Sequence, residues 1–290
     1  MSTQSRILVT GASGQLGRLT IDALLKRVPA SQIYALVRGE AAAAALSPLG
    51  VNVRIGDYRQ PETLDAALSG IDRVLLISSN DLGNRAAQHA NVIDAAKRQN
   101  VSLIAYTSLL HADTSKLGIA GEHRETETAL RASGVPFVLL RNGWYTENYT
   151  AGIPGALAHG AVAGSAGNGR IASAARADYA EAAAIVIASA DVESGRVFEL
   201  AGDDSYTLTE FAQELSAQTN KEIAYADMPE SEFKGILLGA GLPAPIAELL
   251  ADSDKWASEG ALFDDSRELS KLLGRPTTSW KTTVSAALKG

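Results

Sequence analysis

Three glycines at every third position, Gly11, Gly14 and Gly17, fall within the run Ile7-Leu8-Val9-Thr10-Gly11-Ala12-Ser13-Gly14-Gln15-Leu16-Gly17, where an apolar stretch gives way to helical periodicity. Glycines at such a turn let the backbone reverse sharply and lie close to a ligand. The first N–H groups of the helix that follows lack intrahelical partners, and together with the positive end of the helix dipole they attract phosphate. Residues Gly11 to Gly17 therefore offer the chemistry of a dinucleotide-phosphate cradle, and the same spacing equally serves a turn where helix and strand simply pack closely.

Arg38 carries the next piece of chemistry. It follows the apolar run Gln32-Ile33-Tyr34-Ala35-Leu36-Val37. At that place in a dinucleotide fold an acid binds the ribose 2′-hydroxyl, whereas an arginine accommodates a 2′-phosphate. With no acid before Glu40, the expectation is NADPH in preference to NADH; a solvated surface arginine is the plain alternative. Asp57 and Tyr58 end a third apolar segment and offer an acceptor for an adenine amino group and a ring to cover it, or else only polar neighbours of a helix start. Ser78, Ser79 and Asn80, then Thr107, then Asn142 to Glu147 (Asn142-Gly143-Trp144-Tyr145-Thr146-Glu147), stand in the same way at the ends of apolar runs.

The elements that must position these residues read as six strand-and-helix units. Strands are expected at 7–9, 32–37, 51–58, 72–77, 102–108 and 136–140, with helices at 16–28, 40–49, 61–68, 85–99 and from about 120 to 133 between them. Polar tips then fall at one edge of a doubly wound parallel α/β sheet, where such folds bind ligands. Residues 1–150 are read as the NADP-binding Rossmann domain, with later segments able to return to it, and 151–290 mainly as a smaller α+β substrate lobe. That lobe has Gly-rich turns at 160–169, a helix from Arg176, a strand at 196–200, the capping-box sequence Thr207-Leu208-Thr209-Glu210 and further helices. Closing over the sheet edge, it would leave an apolar pocket for a small ligand. His89, alone on a helix, reads as a satisfied or exposed side chain and not as a catalyst.

Composition narrows the classes. The chain has 290 residues, 46% hydrophobic and 20% charged, an ordinary globular balance. A net charge of −7 with no basic stripe argues against nucleic acid as a partner. Without cysteine there is no disulfide, thiolate nucleophile or Cys-based metal site, and no metal is expected. Met1 to Arg6 lead into the first strand without an apolar leader, and no apolar run is long enough to span a membrane, so a cytoplasmic protein is expected.

The opening Val-Thr-Gly-Ala-Ser-Gly-Gln-Leu-Gly, the Val37-Arg38 tip, Gly56-Asp57-Tyr58, Ala105-Tyr106-Thr107-Ser108, Leu140-Arg141-Asn142-Gly143-Trp144-Tyr145 and the late Leu262-Phe263-Asp264-Asp265-Ser266 resemble the NmrA-like atypical short-chain dehydrogenases. The resemblance runs nearly the whole chain and is strongest to members that reduce quinones, with triphenylmethane dye reductases next. It implies NADPH-dependent reduction of a small-molecule quinone by direct hydride transfer, without flavin or metal; the sequence itself reads equally as a monomer or a homodimer. The resemblance also implies that Gly11 to Gly17 and Arg38 hold the cofactor, that Ser78 and Ser79 run along it, and that Asn142 to Glu147 lie near its nicotinamide. The chain departs from the wider superfamily's Tyr-x-x-x-Lys by carrying His123 and Glu127 at those places. Asn142 and Tyr145 are then the candidates to orient nicotinamide or a quinone oxygen, or else to cap the sixth strand and pack the junction. Loss of the acid–base pair suits a redox sensor without turnover as well as it suits a quinone reductase or a dye reductase.

Overall fold

The computed structural model describes residues 5–289; Met1 to Gln4, part of the leaderless N-terminal reading, and Gly290 lie outside them. The first half runs β1 (Ile7–Val9), α1 (Gln15–Leu24), β2 (Ile33–Val37), α2 (Glu40–Leu46), β3 (Asn52–Ile55), α3 (Pro61–Leu68), β4 (Arg73–Leu76), α4 (Arg85–Arg98), β5 (Leu103–Leu109), α5 (Ala120–Ser133) and β6 (Phe137–Asn142). There follow α6 (Thr146–Thr150), α7 (Ile153–His159), β7 (Ala161–Gly164), α8 (Arg176–Ala188), β8 (Val197–Leu200), α9 (Leu208–Thr219), β9 (Ala224–Asp227), α10 (Glu230–Gly239), α11 (Ala244–Ala257), α12 (Glu268–Leu273) and α13 (Trp280–Ala287).

Strands β1 to β6 pair in parallel, and the seven-stranded sheet has the order β3-β2-β1-β4-β5-β6-β8. The order reverses at β1, between β2 and β4, which makes the sheet doubly wound as its sequence pattern leads one to expect. Ile7, Leu8 and Val9 are all buried, as a central strand covered on both faces requires. One core cluster joins Leu8, Leu36, Val74, Leu76, Ile104, Tyr106 and Leu139 from the sheet to Leu64, Leu68, Val92, Ile93, Ala96 and Leu130 from the helices. Alanines 95 and 96 are fully buried, so α4 lies close to the sheet.

The chain divides into two compact units. One takes the described residues up to Ala112 with Gly121–Asn142 and Ala177–Phe198; the other takes Asp113–Ala120, Gly143–Arg176 and the chain from Glu199 onward. In the second unit β7 and β9 pair in parallel, Ala161 opposite Ala224, and Thr207 and Glu210 close a capping box at α9, with Glu210 N–H on Thr207 Oγ1 at 3.2 Å and Thr207 N–H on Glu210 Oε2 at 2.8 Å. Its core holds Tyr206 and Phe211 stacked at 5.9 Å, with Trp280 4.4 Å from Tyr206.

Some boundaries differ from the sequence pattern. Helix α1 stops at Leu24, short of Val28: the Arg27 and Val28 N–H groups both turn onto Leu24 O, at 2.8 and 2.9 Å, and Pro29 bars further helix beyond them. Strand β6 continues through Arg141 and Asn142, whose register partners on β5 are Ser108 and Leu109, so these two residues are buried strand positions. Ala161–Gly164 is a strand inside what reads as a glycine-rich turn; alanine and glycine carry little β signal of their own.

Candidate functional site

The loop after β1 is built from backbone. Gly11 has φ +57°, the left-handed region open to glycine. A Cβ on Gly17 would lie 2.3 Å from the Gly11 carbonyl oxygen and 2.8 Å from Ala12 Cα, so helix and loop meet with no room for a side chain. The Gly14 N–H donates to Gly11 O at 2.9 Å and Ala12 N–H to Leu36 O at 3.3 Å, fixing the loop to itself and to β2. Gly14 caps α1 and sets no side chain before the first-turn N–H groups, while Leu16 is buried and Ser13 and Gln15 are exposed. This is the arrangement a phosphate needs.

Arg38 follows β2 directly, is exposed, and makes no hydrogen bond or ion pair among the described residues. Asp57 stands beyond the neighbouring β3. Its carboxylate accepts the Arg59 N–H at 2.9 Å, Nε at 3.3 Å and Nη2 at 2.8 Å, and this grip on Arg59 holds the carboxyl below its ordinary range. The Tyr58 hydroxyl donates to Ile77 O at 3.2 Å, and burial pushes its phenol up. Both residues thus already have partners within the protein.

The edge after β4 is tightly held. Ser78 N–H donates to Thr107 Oγ1 at 2.9 Å, which joins two of the residues singled out by sequence. Ser79 N–H donates to His89 Nε2 at 2.9 Å, its hydroxyl donates to Gln88 Oε1 at 2.6 Å, and its carbonyl accepts from Arg85 Nε at 2.7 Å. With Nε2 accepting, the His89 proton sits on Nδ1 and points to Thr126 Oγ1 at 3.0 Å, whose own proton goes to Glu122 O. Burial lowers the His89 pKa to about 3, which keeps the ring neutral and able to accept. Asn80 is exposed. Sequence reasoning gave His89 no part in the site, and an isolated helical histidine carries no signal of a partner in a loop ten residues earlier.

At the places of the superfamily tyrosine and lysine, His123 Nδ1 lies 2.7 Å from the Tyr106 hydroxyl, both side chains buried, and burial pushes the histidine well below its usual pKa. Glu127 takes Arg141 Nε on Oε1 at 2.9 Å, Arg141 Nη2 on Oε2 at 2.8 Å, and the Ser108 hydroxyl on Oε1 at 2.6 Å. The next residue differs from all of these. Asn142 is 5% exposed, and its Oδ1 is buried without a hydrogen-bond partner. A buried acceptor left unmade costs about 1–3 kcal/mol, a cost relieved by a ligand that brings a donor.

Gly143 to Glu147 belong to the second unit. Gly143 N–H donates to Leu200 O at 2.7 Å, Tyr145 forms a parallel bridge with Ala174, and Thr146 Oγ1 lies 2.9 Å from buried Ser173 Oγ. Trp144 is 7% exposed, a core residue. The Arg176 guanidinium lies 4.6 Å over the Tyr145 ring, and both oxygens of Glu147 accept the Arg176 N–H, at 2.9 and 3.0 Å, at the start of α8. Tyr149 donates to Asp254 Oδ1 at 2.9 Å. Among the described residues no group of three or more His, Cys, Asp or Glu is arranged to hold a metal ion, and no helix is long and apolar enough to cross a membrane.

The model of the NmrA-like family matches residues 3–283. Quinone oxidoreductase 2 of Escherichia coli (strain K12) is 56% identical over 279 residues, 96% of this chain and 97% of its own. The crystal structure of the E. coli NADPH-dependent quinone oxidoreductase complexed with NADPH superposes with a TM-score of 0.94 at 55% identity, covering 97% of this chain and 99% of that one. That of the Citrobacter sp. triphenylmethane reductase complexed with NADP(H) gives 0.93 at 39% identity, over 97% and 99%.

Proposed function

Because the chain belongs to the NmrA-like family, we propose that it is an oxidoreductase that reduces quinones with NADPH. The observation that carries this reading is the backbone-only cradle at Gly11 to Gly17 beside the exposed guanidinium of Arg38: the first suits a pyrophosphate, the second a ribose 2′-phosphate. The relatives that resemble the chain over almost its full length support the same cofactor and substrate class.

When bound, NADPH supplies a hydride to the quinone. Everything else falls to the protein. The first-turn N–H groups of α1 bind pyrophosphate, and Ser78, Ser79, Asn80 and Thr107 form the polar edge along which the dinucleotide extends. Asn142 Oδ1, buried and unpartnered, accepts an N–H from the nicotinamide carboxamide or an O–H from the reduced product, and Tyr145 flanks the same stretch of chain. No general acid is asked of His123 or Glu127, which are committed to Tyr106 and to Arg141 with Ser108. A quinone tolerates this, since charge spreads over a conjugated ring and an oxygen of low basicity that water can protonate. Orientation of two flat partners supplies most of the acceleration. We place the enzyme in the cytoplasm as a monomer or homodimer, with the cofactor domain drawn chiefly from residues 1–150 and joined by the later segment Ala177–Phe198, and the substrate lobe mainly from the rest of 151–290.

Stopped-flow absorbance of NADPH mixed with protein and a benzoquinone or naphthoquinone, repeated with NADH and with a triphenylmethane dye, tests the reading. Rapid oxidation that favours NADPH and quinone supports it. Faster turnover of the dye moves the substrate class, and tight NADPH binding with no oxidation by either acceptor points to a redox sensor.

A further inference from the structure

Strands β2 and β3 pair in parallel with Val37 opposite Ile55, and Gly56 N–H donates to Val37 O at 2.9 Å, so the residues just beyond the two strands stand side by side. Arg38 is the first residue past β2. Asp57 and Arg59 are the second and fourth past β3. The Asp57 side chain is 15% exposed and that of Arg59 is 62% exposed, so the carboxylate is the anchor and the guanidinium the part offered to solvent.

A carboxylate near Arg38 repels a 2′-phosphate as a like charge. Left alone, Asp57 would oppose the cation at Arg38. It is not left alone, because Arg59 neutralises it with a two-pronged ion pair and the Arg59 N–H takes up further lone-pair capacity on Oδ1. That grip uses the Nε edge of the guanidinium and leaves the Nη1 donors directed elsewhere. Asp81, in the loop after β4, also feels the charge of Arg59 and Arg38, and its oxygens are taken by Asn84 Nδ2 at 3.1 Å and Gln88 Nε2 at 2.5 Å. Two arginines thus face two carboxylates that are already hydrogen-bonded within the protein. Only with both arginines present does the edge balance its own acids and still present guanidinium N–H groups to an incoming dianion.

We propose that Arg59, held in place by Asp57, is the second cation of the 2′-phosphate site and with Arg38 determines the preference for NADPH; this rests on reading the site as one for NADPH. Asp57 then acts as a positioning residue for Arg59.

The test is titration of wild-type protein, Arg59→Ala, Arg59→Lys and Arg38→Ala with NADPH and with NADH, read as dissociation constants, with melting temperatures to show that each variant is folded. Loss of one charge-assisted contact to phosphate in Arg59→Ala should weaken NADPH binding about ten-fold and change NADH binding by less than about two-fold. Arg59→Lys, which keeps the charge without the planar fork, should fall between. An unchanged NADPH-to-NADH ratio in Arg59→Ala, with the ratio collapsed in Arg38→Ala, overturns the role of Arg59 and leaves the NADPH reading standing. Wild-type protein that binds both cofactors equally overturns both.

Discussion

Glu127 and Arg141 meet as a buried, two-pronged ion pair, each side chain 6% exposed, with N···O distances of 2.9 and 2.8 Å. The pair joins α5 to the end of β6, one residue before Asn142, in a place where the wider superfamily keeps a lysine. Its consequence is structural: the position is closed to acid–base chemistry and fixes the strand end.

Removing one partner of such a pair leaves an uncompensated charge in the core. Glu127→Gln should therefore cost about 3–5 kcal/mol in urea unfolding. Glu127→Leu combined with Arg141→Met should lose less than the single variant, and Glu127→Lys, which sets two cations together, should lose most. A single-variant cost below about 1 kcal/mol would show the pair to be energetically idle.

Gly17→Ala sets a methyl 2.3 Å from the Gly11 carbonyl oxygen, a contact only a shift of α1 can relieve. NADPH affinity should fall by at least about ten-fold, together with a lower melting temperature, since overpacking costs about 1–3 kcal/mol. Gly14→Ala, whose methyl would meet the same oxygen at 3.2 Å, should be milder in both. Cofactor fluorescence and thermal denaturation of the two variants provide the comparison.

Asn142 presents a trade between stability and activity. Its unpartnered Oδ1 is a burden in the free protein. Asn142→Leu, of similar volume and without the polar atoms, should raise the melting temperature while lowering kcat about ten-fold or more. Retention of full turnover would remove Asn142 from the reaction, and a drop in stability would show that its amide is worth more to the fold than the orphaned oxygen costs.

Acid should weaken the fold through its buried histidines. Burial lowers His89 to about 3 and pushes His123 well below 6.5, so on lowering the pH the unfolded chain takes up protons near 6.5 that the folded chain refuses. Their stability contribution is complete above about pH 6.5 and falls below it by up to about 1.4 kcal/mol per pH unit for each ring. Asp254 runs the other way: burial raises its carboxyl to about 6 from 3.8, so the folded chain binds that proton first and gains stability as pH falls through this window. Melting temperatures measured from pH 7.5 to 5 should decline, and His89→Gln, which keeps an acceptor for Ser79 N–H but cannot titrate, should decline less steeply. Equal slopes would mean that His89 does not contribute.

Much of the fold is local in origin and was legible. Ile7-Leu8-Val9 followed by glycines at 11, 14 and 17 specifies strand, turn and helix within eleven residues, and Thr207 with Glu210 announces a helix start that forms as expected. The parallel pairing of β1 to β6 follows because every connection between them carries a helix. Arg38 was readable for the same reason, its place being set by the strand just before it.

Partnerships between distant segments were not legible. His89 holds the Ser79 amide across a loop, Glu127 holds Arg141 across a helix and a strand, and β7 finds β9 some sixty residues later. Asp57 and Arg59 stand two apart, yet whether that carboxylate faces a nucleotide or a guanidinium depends on side-chain directions at the strand end. The sequence by itself determined backbone periodicity, glycine-dependent turns and the strand tips that carry polar residues, because these depend on a few consecutive dihedrals and on which face is apolar. Only the tertiary structure decided which polar groups are already satisfied and which, like Asn142 Oδ1, are left for a ligand, because hydrogen-bond satisfaction is settled by every element packed around a group and not by its neighbours in the chain.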